Sequence, residues 1–175
     1  MNQFPYTTRE YEILPYDPNW PVRFESIAQK LRKIFGEDAV DIQHMGSTSV
    51  PGMDGKETID VLMVISTEDK LDLHKEEMVA AGYLYQGQMV SEGSRLYREA
   101  KGKDILANIH IFPEGHPHNA EMIRLRDYLR THPEDVQEYS QLKKNLKEKY
   151  PDDYAGYRKE KDAYMDGVLK KRSGL

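Results

Sequence analysis

Cysteine is absent from the 175 residues. Disulfides, thiol nucleophiles and thiolate metal sites are thereby excluded. Long apolar runs are missing too: no stretch approaches the ~20 residues that a membrane-spanning helix requires. Nothing in the opening segment resembles a signal peptide, because Met1 to Glu12 is polar and aromatic. A cytoplasmic location without a membrane partner is therefore expected. A strongly basic face is also lacking. Residues 1–119 carry 12 Lys and Arg against 19 Asp and Glu, and residues 120–175 carry 13 against 11. That balance speaks against a dedicated nucleic-acid binder. No internal repeat or low-complexity tract is visible.

What is present suits a well-solvated globule. Hydrophobic residues make up 38% and charged residues 31%, and the length is sufficient for a real core. Pro5, Pro15 and Pro18 keep residues 1–19 extended, with Ile13-Leu14-Pro15-Tyr16 as an edge strand or a segment laid across the core. A helix begins near Asn19 or Trp20, with Pro21 in its first turn and Gly36 as its stop. Val40 to His44 alternates as a first strand. A loop rich in breakers (46–57) follows, and then the strand 58–65, whose continuous apolar character suggests an interior position. The spacing predicts a helix over 69–81, strands over 83–88 and 95–100, a turn at 101–104 and a strand over 106–112. From residue 120 onward three helices are expected: 120–131, 134–149 and 153–171, divided by His132-Pro133 and Tyr150-Pro151. This is an α+β chain with a mixed sheet and a helical C-terminal part. Residues 1–118 form the core with an N-terminal arm, and residues 119–175 pack on it as one compact unit.

Two elements carry chemistry. The first is the bend His44-Met45-Gly46-Ser47-Thr48-Ser49-Val50-Pro51-Gly52, in which Gly46 and Ser47 offer backbone N–H groups and a hydroxyl to an anion. The second is Asp60, one carboxylate inside the apolar run Ile59 to Ile65. Strand alternation puts Thr58, Asp60 and Leu62 on one face. A carboxylate aimed at a dry core would cost several kcal/mol, so Asp60 must face a cleft, a metal or a strong partner. A hydrogen bond to Lys56 or to loop N–H groups would satisfy it equally. Asn108 and His110 share a face on an expected neighbouring strand. His110 could serve as general base, metal ligand or plain partner to Asp60, or face solvent. Arg95, Arg98 and Arg126 are candidate phosphate contacts, each equally readable as an ordinary ion pair or a solvated edge. His44 could orient the bend. His116-Pro117-His118 has too few companions for a metal site, and the run Lys143, Lys144, Lys147, Lys149 reads as a solvated helix face.

The bend, with Lys56, Ile59 and Asp60, resembles the signature of the GrpB family. Two later pieces agree: Asn108-Ile109-His110-Ile111-Phe112 and Leu125-Arg126-Asp127-Tyr128-Leu129-Arg130-Thr131-His132-Pro133. The resemblance covers residues 15–165. It implies a nucleotidyltransferase-like fold of the polymerase-beta type, with anion contacts from Gly46, Ser47, Thr48 and Lys56. It also implies an acid-apolar-acid strand, and here the sequence departs: the partner of Asp60 would stand at 62 or 58, which are Leu and Thr. GrpB-like domains also occur appended to dephospho-coenzyme-A kinase.

Three functions remain open. One is transfer of a nucleotidyl or phosphoryl group, with Asp60 and His110 as catalytic residues and Mg²⁺ on Asp60. The second is a non-catalytic module binding a nucleotide or phosphorylated small molecule. The third is a structural interaction protein, suggested by the tyrosine-rich helices.

Overall fold

The computed structural model describes residues 11–175; the first ten residues of the expected N-terminal arm lie outside the described residues. Within them the arm meets the body at Leu14, which exchanges two backbone hydrogen bonds with Gly55.

Helix α1 (Trp20–Phe35) starts where expected, with Pro21 in its first turn. It buries the stripe Trp20, Ile27, Ala28, Leu31 and Phe35. Strands β1 (Ala39–Met45) and β2 (Ile59–Ile65) form an antiparallel pair. A short helix α2 (Lys75–Ala80) leads to β3 (Leu84–Gly87), β4 (Arg95–Lys101) and β5 (Asp104–Pro113), an antiparallel meander. The sheet order is β1-β2-β5-β4-β3, and β2 runs parallel to β5. The mixed α+β sheet expected from the Lys101–Asp104 turn is thus observed, with β2 in the interior.

Helix α2 is much shorter than the predicted span of 69–81. Side-chain tethers explain the loss. Lys70 and His74 both reach Asp38, and Asp72 is taken by Arg95, so this stretch is held in turns. The three C-terminal helices appear as α3 (Pro117–Thr131), α4 (Pro133–Lys149) and α5 (Tyr154–Tyr164). The third does not run unbroken to 171. A π-turn at Met165–Leu169 widens it before the final turn α6 (Lys170–Arg172), burying Leu169 against Tyr139 and Val136.

Alternation along β2 divides the molecule. Ile59, Val61, Met63 and Ile65 pack beneath α1 and α2 together with Tyr97, Ile109 and Ile111. Leu62 and Val64 point the other way, joining Met45 and Phe112 beneath Met122 and Ile123 of α3. Asp60 shares that second face but lies at the strand's N-terminal end, beyond the apolar patch. Burying a side chain such as Leu62 stabilises the fold by about 1.5–3 kcal/mol.

Leu62 is fully buried, so truncation should cost packing, and a second acid at this position should cost far more. Leu62→Ala is expected to lose about 3 kcal/mol, lowering the unfolding midpoint by roughly 6–12 °C. Leu62→Asp should lose more still. Thermal denaturation measures both; tolerance of the aspartate within a degree or two would place position 62 in the cleft instead.

Candidate anion-binding site

The site begins with a missing carbon. Gly46 ends β1 at a φ of +69°, and a Cβ built there would lie 2.4 Å from Asp60 Oδ2. Only glycine adopts this backbone cheaply and admits the carboxylate. The bend then tightens: Ser49 N and Val50 N donate to Gly46 O and Ser47 O, and Ser49 Oγ donates to Gly46 O at 2.7 Å. His44 holds it from behind. Its Nε2 shares a 2.9 Å hydrogen bond with Thr48 Oγ1, and its ring stacks on Phe24 at 4.8 Å. Burial, and then the charges of Arg130 and Arg126, push His44 down to about 4 against the opposing pull of Asp60. The imidazole is therefore neutral at physiological pH. It acts as a positioning residue.

On the sheet, Asp60 stands opposite Asn108, and Leu62 opposite His110. Asn108 Nδ2 donates to Asp60 Oδ1 at 2.8 Å, and His110 Nε2 lies 3.8 Å from the same oxygen. Burial would raise the Asp60 carboxyl, but the His110 ring, the Asn108 amide and the Lys56 charge outweigh it and hold it below the usual range. Asp60 is thus a resident anion already engaged by its neighbours. His110 Nδ1 is buried with no hydrogen-bond partner among the described residues.

Above these strands the C-terminal helices close a cavity of about 580 Å³, within the range of small-molecule sites. Gly46, Ser47, Thr48, Lys56, Asp60, His110 and Arg126 all line it, so seven of the residues singled out from sequence converge there. Arg126 is fixed by Gln43 Oε1 at 2.6 Å and by His44 O at 3.3 Å. Lys56 donates to the Tyr154 hydroxyl. The two β4 arginines do not join them. Arg95 lies on the opposite sheet face, where Nε donates to Asp72 Oδ1 at 2.8 Å. Arg98 shares the face of Asp60 and Asn108 but is 1% exposed and lies outside the cavity wall, with Nη1 donating to Gln86 Oε1 at 3.3 Å. Positions three apart on a strand must face opposite ways.

Sequence reasoning missed the helical contribution. Lys143 is not on a solvated face: it is 2% exposed, and Nζ donates to Ser47 Oγ at 2.9 Å and to the Asp54 carbonyl. Burial first, then the charge of Lys161, lower its pKa to about 7; Lys56 adds to this and Asp54 opposes it. Its spacing from Val136, Tyr139 and Leu146 was the available signal, for those residues mark the buried stripe of α4. Lys161, paired with Asp162 at 2.6 Å, lines the wall from α5. The His116–His118 loop is structural. His116 caps α3 by accepting from His118 N, and among the described residues no cluster of three His, Asp or Glu could hold a metal.

Two consequences can be measured. Gly46→Ala should destabilise by about 2–4 kcal/mol, because a strained backbone and a clash with Asp60 add together; a midpoint within 2 °C of the parent would refute the contact. For His44, the unfolded ring binds protons that the folded ring does not as pH falls from about 6.5 toward 4, so stability is lost across that window. The loss is at most about 3 kcal/mol, and NMR titration should find this ring protonating near the bottom of the window.

The comparisons bear on family and fold. The family model described as GrpB protein matches residues 10–171. The UPF0157 protein YqkA of Bacillus subtilis is 32% identical over 160 residues, covering 91% of this chain. The chain spans only 46% of that relative's length. The crystal structure of conserved protein GrpB from Enterococcus faecalis superposes with a TM-score of 0.86 at 31% identity, covering 93% of this chain and 96% of that one. The Cid1 poly(U) polymerase, in a MgATP-bound crystal structure, superposes at 0.54 with 12% identity over 77% of this chain and 44% of its own. That likeness is one of fold, and it places the mixed sheet among nucleotidyltransferase-type folds. With a family model spanning nearly its whole length, this chain belongs to the GrpB family.

Proposed function

We propose that this protein is a binding module built on a nucleotidyltransferase-type frame. It takes a nucleotide or another phosphorylated small molecule and does not transfer the group by a two-metal route. The observation that carries the reading is the meeting of Ser47 Oγ with the buried Lys143 amine, 2.9 Å apart, on the wall of a cavity also lined by Arg126 and Lys161. Cations converging on a hydroxyl-bearing bend suit phosphate oxygens. Met45, Met122, Leu125, Leu129 and Tyr139 give the same cavity an apolar wall for the rest of the ligand.

The donor set does not fit a pair of metal ions. Two-metal chemistry needs carboxylates that can bridge. Asp60 supplies one carboxylate, with Oδ1 accepting from Asn108 and Oδ2 pressed against Gly46. The second acidic position is Leu62, sealed beneath α3, and the Thr58 hydroxyl donates to Ile105 O. Asp162, across the cavity, is held by Lys161 and Arg158. No catalytic step is therefore assigned to Mg²⁺. The interaction-protein reading loses its motive as well, since Tyr139, Tyr154 and Tyr157 are spent on internal packing.

Thermal unfolding with a nucleotide panel tests the proposal. Ligand at 100 times its dissociation constant should add about 2.7 kcal/mol, a rise of roughly 5–10 °C, without Mg²⁺, and Lys143→Met should abolish it. A rise that needs Mg²⁺ and vanishes in Asp60→Asn, together with pyrophosphate release, would restore the transferase reading. No rise with any nucleotide or sugar phosphate would overturn both.

A further inference from the structure

The surroundings of Lys143 carry the binding reading one step further. This amine is enclosed at the junction of α4 with the bend, 2% exposed. From the bend it meets the Ser47 hydroxyl, and from the following loop the Asp54 carbonyl; both oxygens are neutral. The Asp54 carboxylate itself is turned to Lys144, 2.6 Å away. On its own helix the Tyr139 ring lies 4.6 Å from Nζ. Three charges act on it: Lys161 on α5, itself paired with Asp162, and Lys56 on the loop disfavour its protonated form, and the Asp54 carboxylate, engaged by Lys144, opposes them without outweighing burial. Asp60 faces the same cavity from β2, with its Oδ1 held by Asn108. Among the described residues no carboxylate lies within ion-pair distance of Lys143.

A buried ammonium without a counter-ion is costly, and like charges nearby raise the cost. An anion arriving at Ser47 Oγ supplies what is missing. We infer that ligand capture at the Gly46-Ser47 bend is proton-linked: Lys143 gives up its proton in the empty site and recovers one when a phosphate-like anion binds. This rests on the binding reading above and adds its regulation. The amine's position near neutrality in the empty site places the effect within the physiological range. Linkage fixes its direction. The bound state holds more protons than the free state, so affinity falls as pH rises. An arginine in the same place stays charged throughout, which would remove the dependence while keeping the attraction.

Titration calorimetry on the full chain reads this out, with ATP at or above pH 7.5 and sulfate, which does not titrate near neutrality, as probes. For wild type, the sulfate dissociation constant should weaken roughly tenfold or more between pH 7 and pH 8.5, as a single linked proton requires. The ATP binding enthalpy at pH 8 should vary between buffers of different ionisation heat, in the sense of proton uptake approaching one per site. Lys143→Arg should bind sulfate with no more than a twofold change over the same range. Should that variant not fold, wild-type buffer dependence and NMR titration of the lysine Nζ resonances decide alone. Binding that is independent of pH and buffer overturns the proton linkage and leaves the binding reading intact. A wild-type slope retained in a folded Lys143→Arg protein transfers the linkage to another group and likewise overturns the assignment. Failure of both probes to bind at any pH overturns both.

Discussion

The contact between Asp60 and Gly46 is the constraint from which the site is built. A carboxylate and a chain reversal occupy nearly the same space, and this works only because position 46 carries no side chain. The contact fixes the exit of β1 relative to the start of β2, and therefore the direction in which the bend presents Ser47. Asn108 completes the arrangement from β5, tying three adjacent strands to one carboxylate. Asp60 is thus at least as much a structural anion as a chemical one: its charge organises donors and holds the bend from below. His44 holds the same bend from behind through Thr48, and Arg130 caps it by donating to Ser49 O.

The helical part finishes what the sheet begins. Helix α3 lays Arg126 over the end of β1, α4 drives Lys143 into the bend, and α5 with its π-turn brings Lys161, Met165 and Asp166 to the far wall. A π-turn is an expensive local geometry that recurs at functional sites. Here it carries Met165 and Asp166, which line the cavity, and the buried Leu169. Of the lysines in the C-terminal segment, Lys143 and Lys161 line the cavity. Exposed pairs such as Lys149–Glu160 contribute little by comparison.

Much of this was legible in the chain. The limits of α1, β1 and β2, the meander and the divisions between the C-terminal helices follow from prolines, glycines and periodicity, because those signals are local. The nearness of His110 to Asp60 followed from alternation once β2 and β5 were neighbours, whereas the pairing of Asp60 with Asn108 depends on the register, which alternation does not set. Tertiary contacts hid the rest. Helix α2 failed where Asp72 and His74 were claimed by Arg95 and Asp38. For Arg95 the ion-pair alternative holds, because its strand position faces Asp72 on the side of the sheet away from the cavity. Lys143 was hidden by its company: next to Lys144, which reaches the surface pair with Asp54, it looks solvated, although its helical phase matches Tyr139 and Leu146.

Leu62, standing where the family resemblance implies a second acid, bears on the proposed function through energetics. Transfer of a phosphoryl group requires charge stabilisation that is stronger in the transition state than in the bound ligand. A second carboxylate would recruit cations to the point where that charge develops. A leucine at this position instead extends the apolar patch of Met45, Val64 and Phe112 up to the carboxylate. The cations the cavity does hold are lysine and arginine side chains lining its walls, suited to an anion already present in the ground state. On the reading proposed above, such cations would contact the ligand and the transition state about equally, a uniform binding that raises affinity without raising rate. On that reading, a sheet with Leu62 packed where the family resemblance implies a second acid, and with Lys143 seated at the bend, is physically better matched to holding a phosphorylated ligand than to cleaving it.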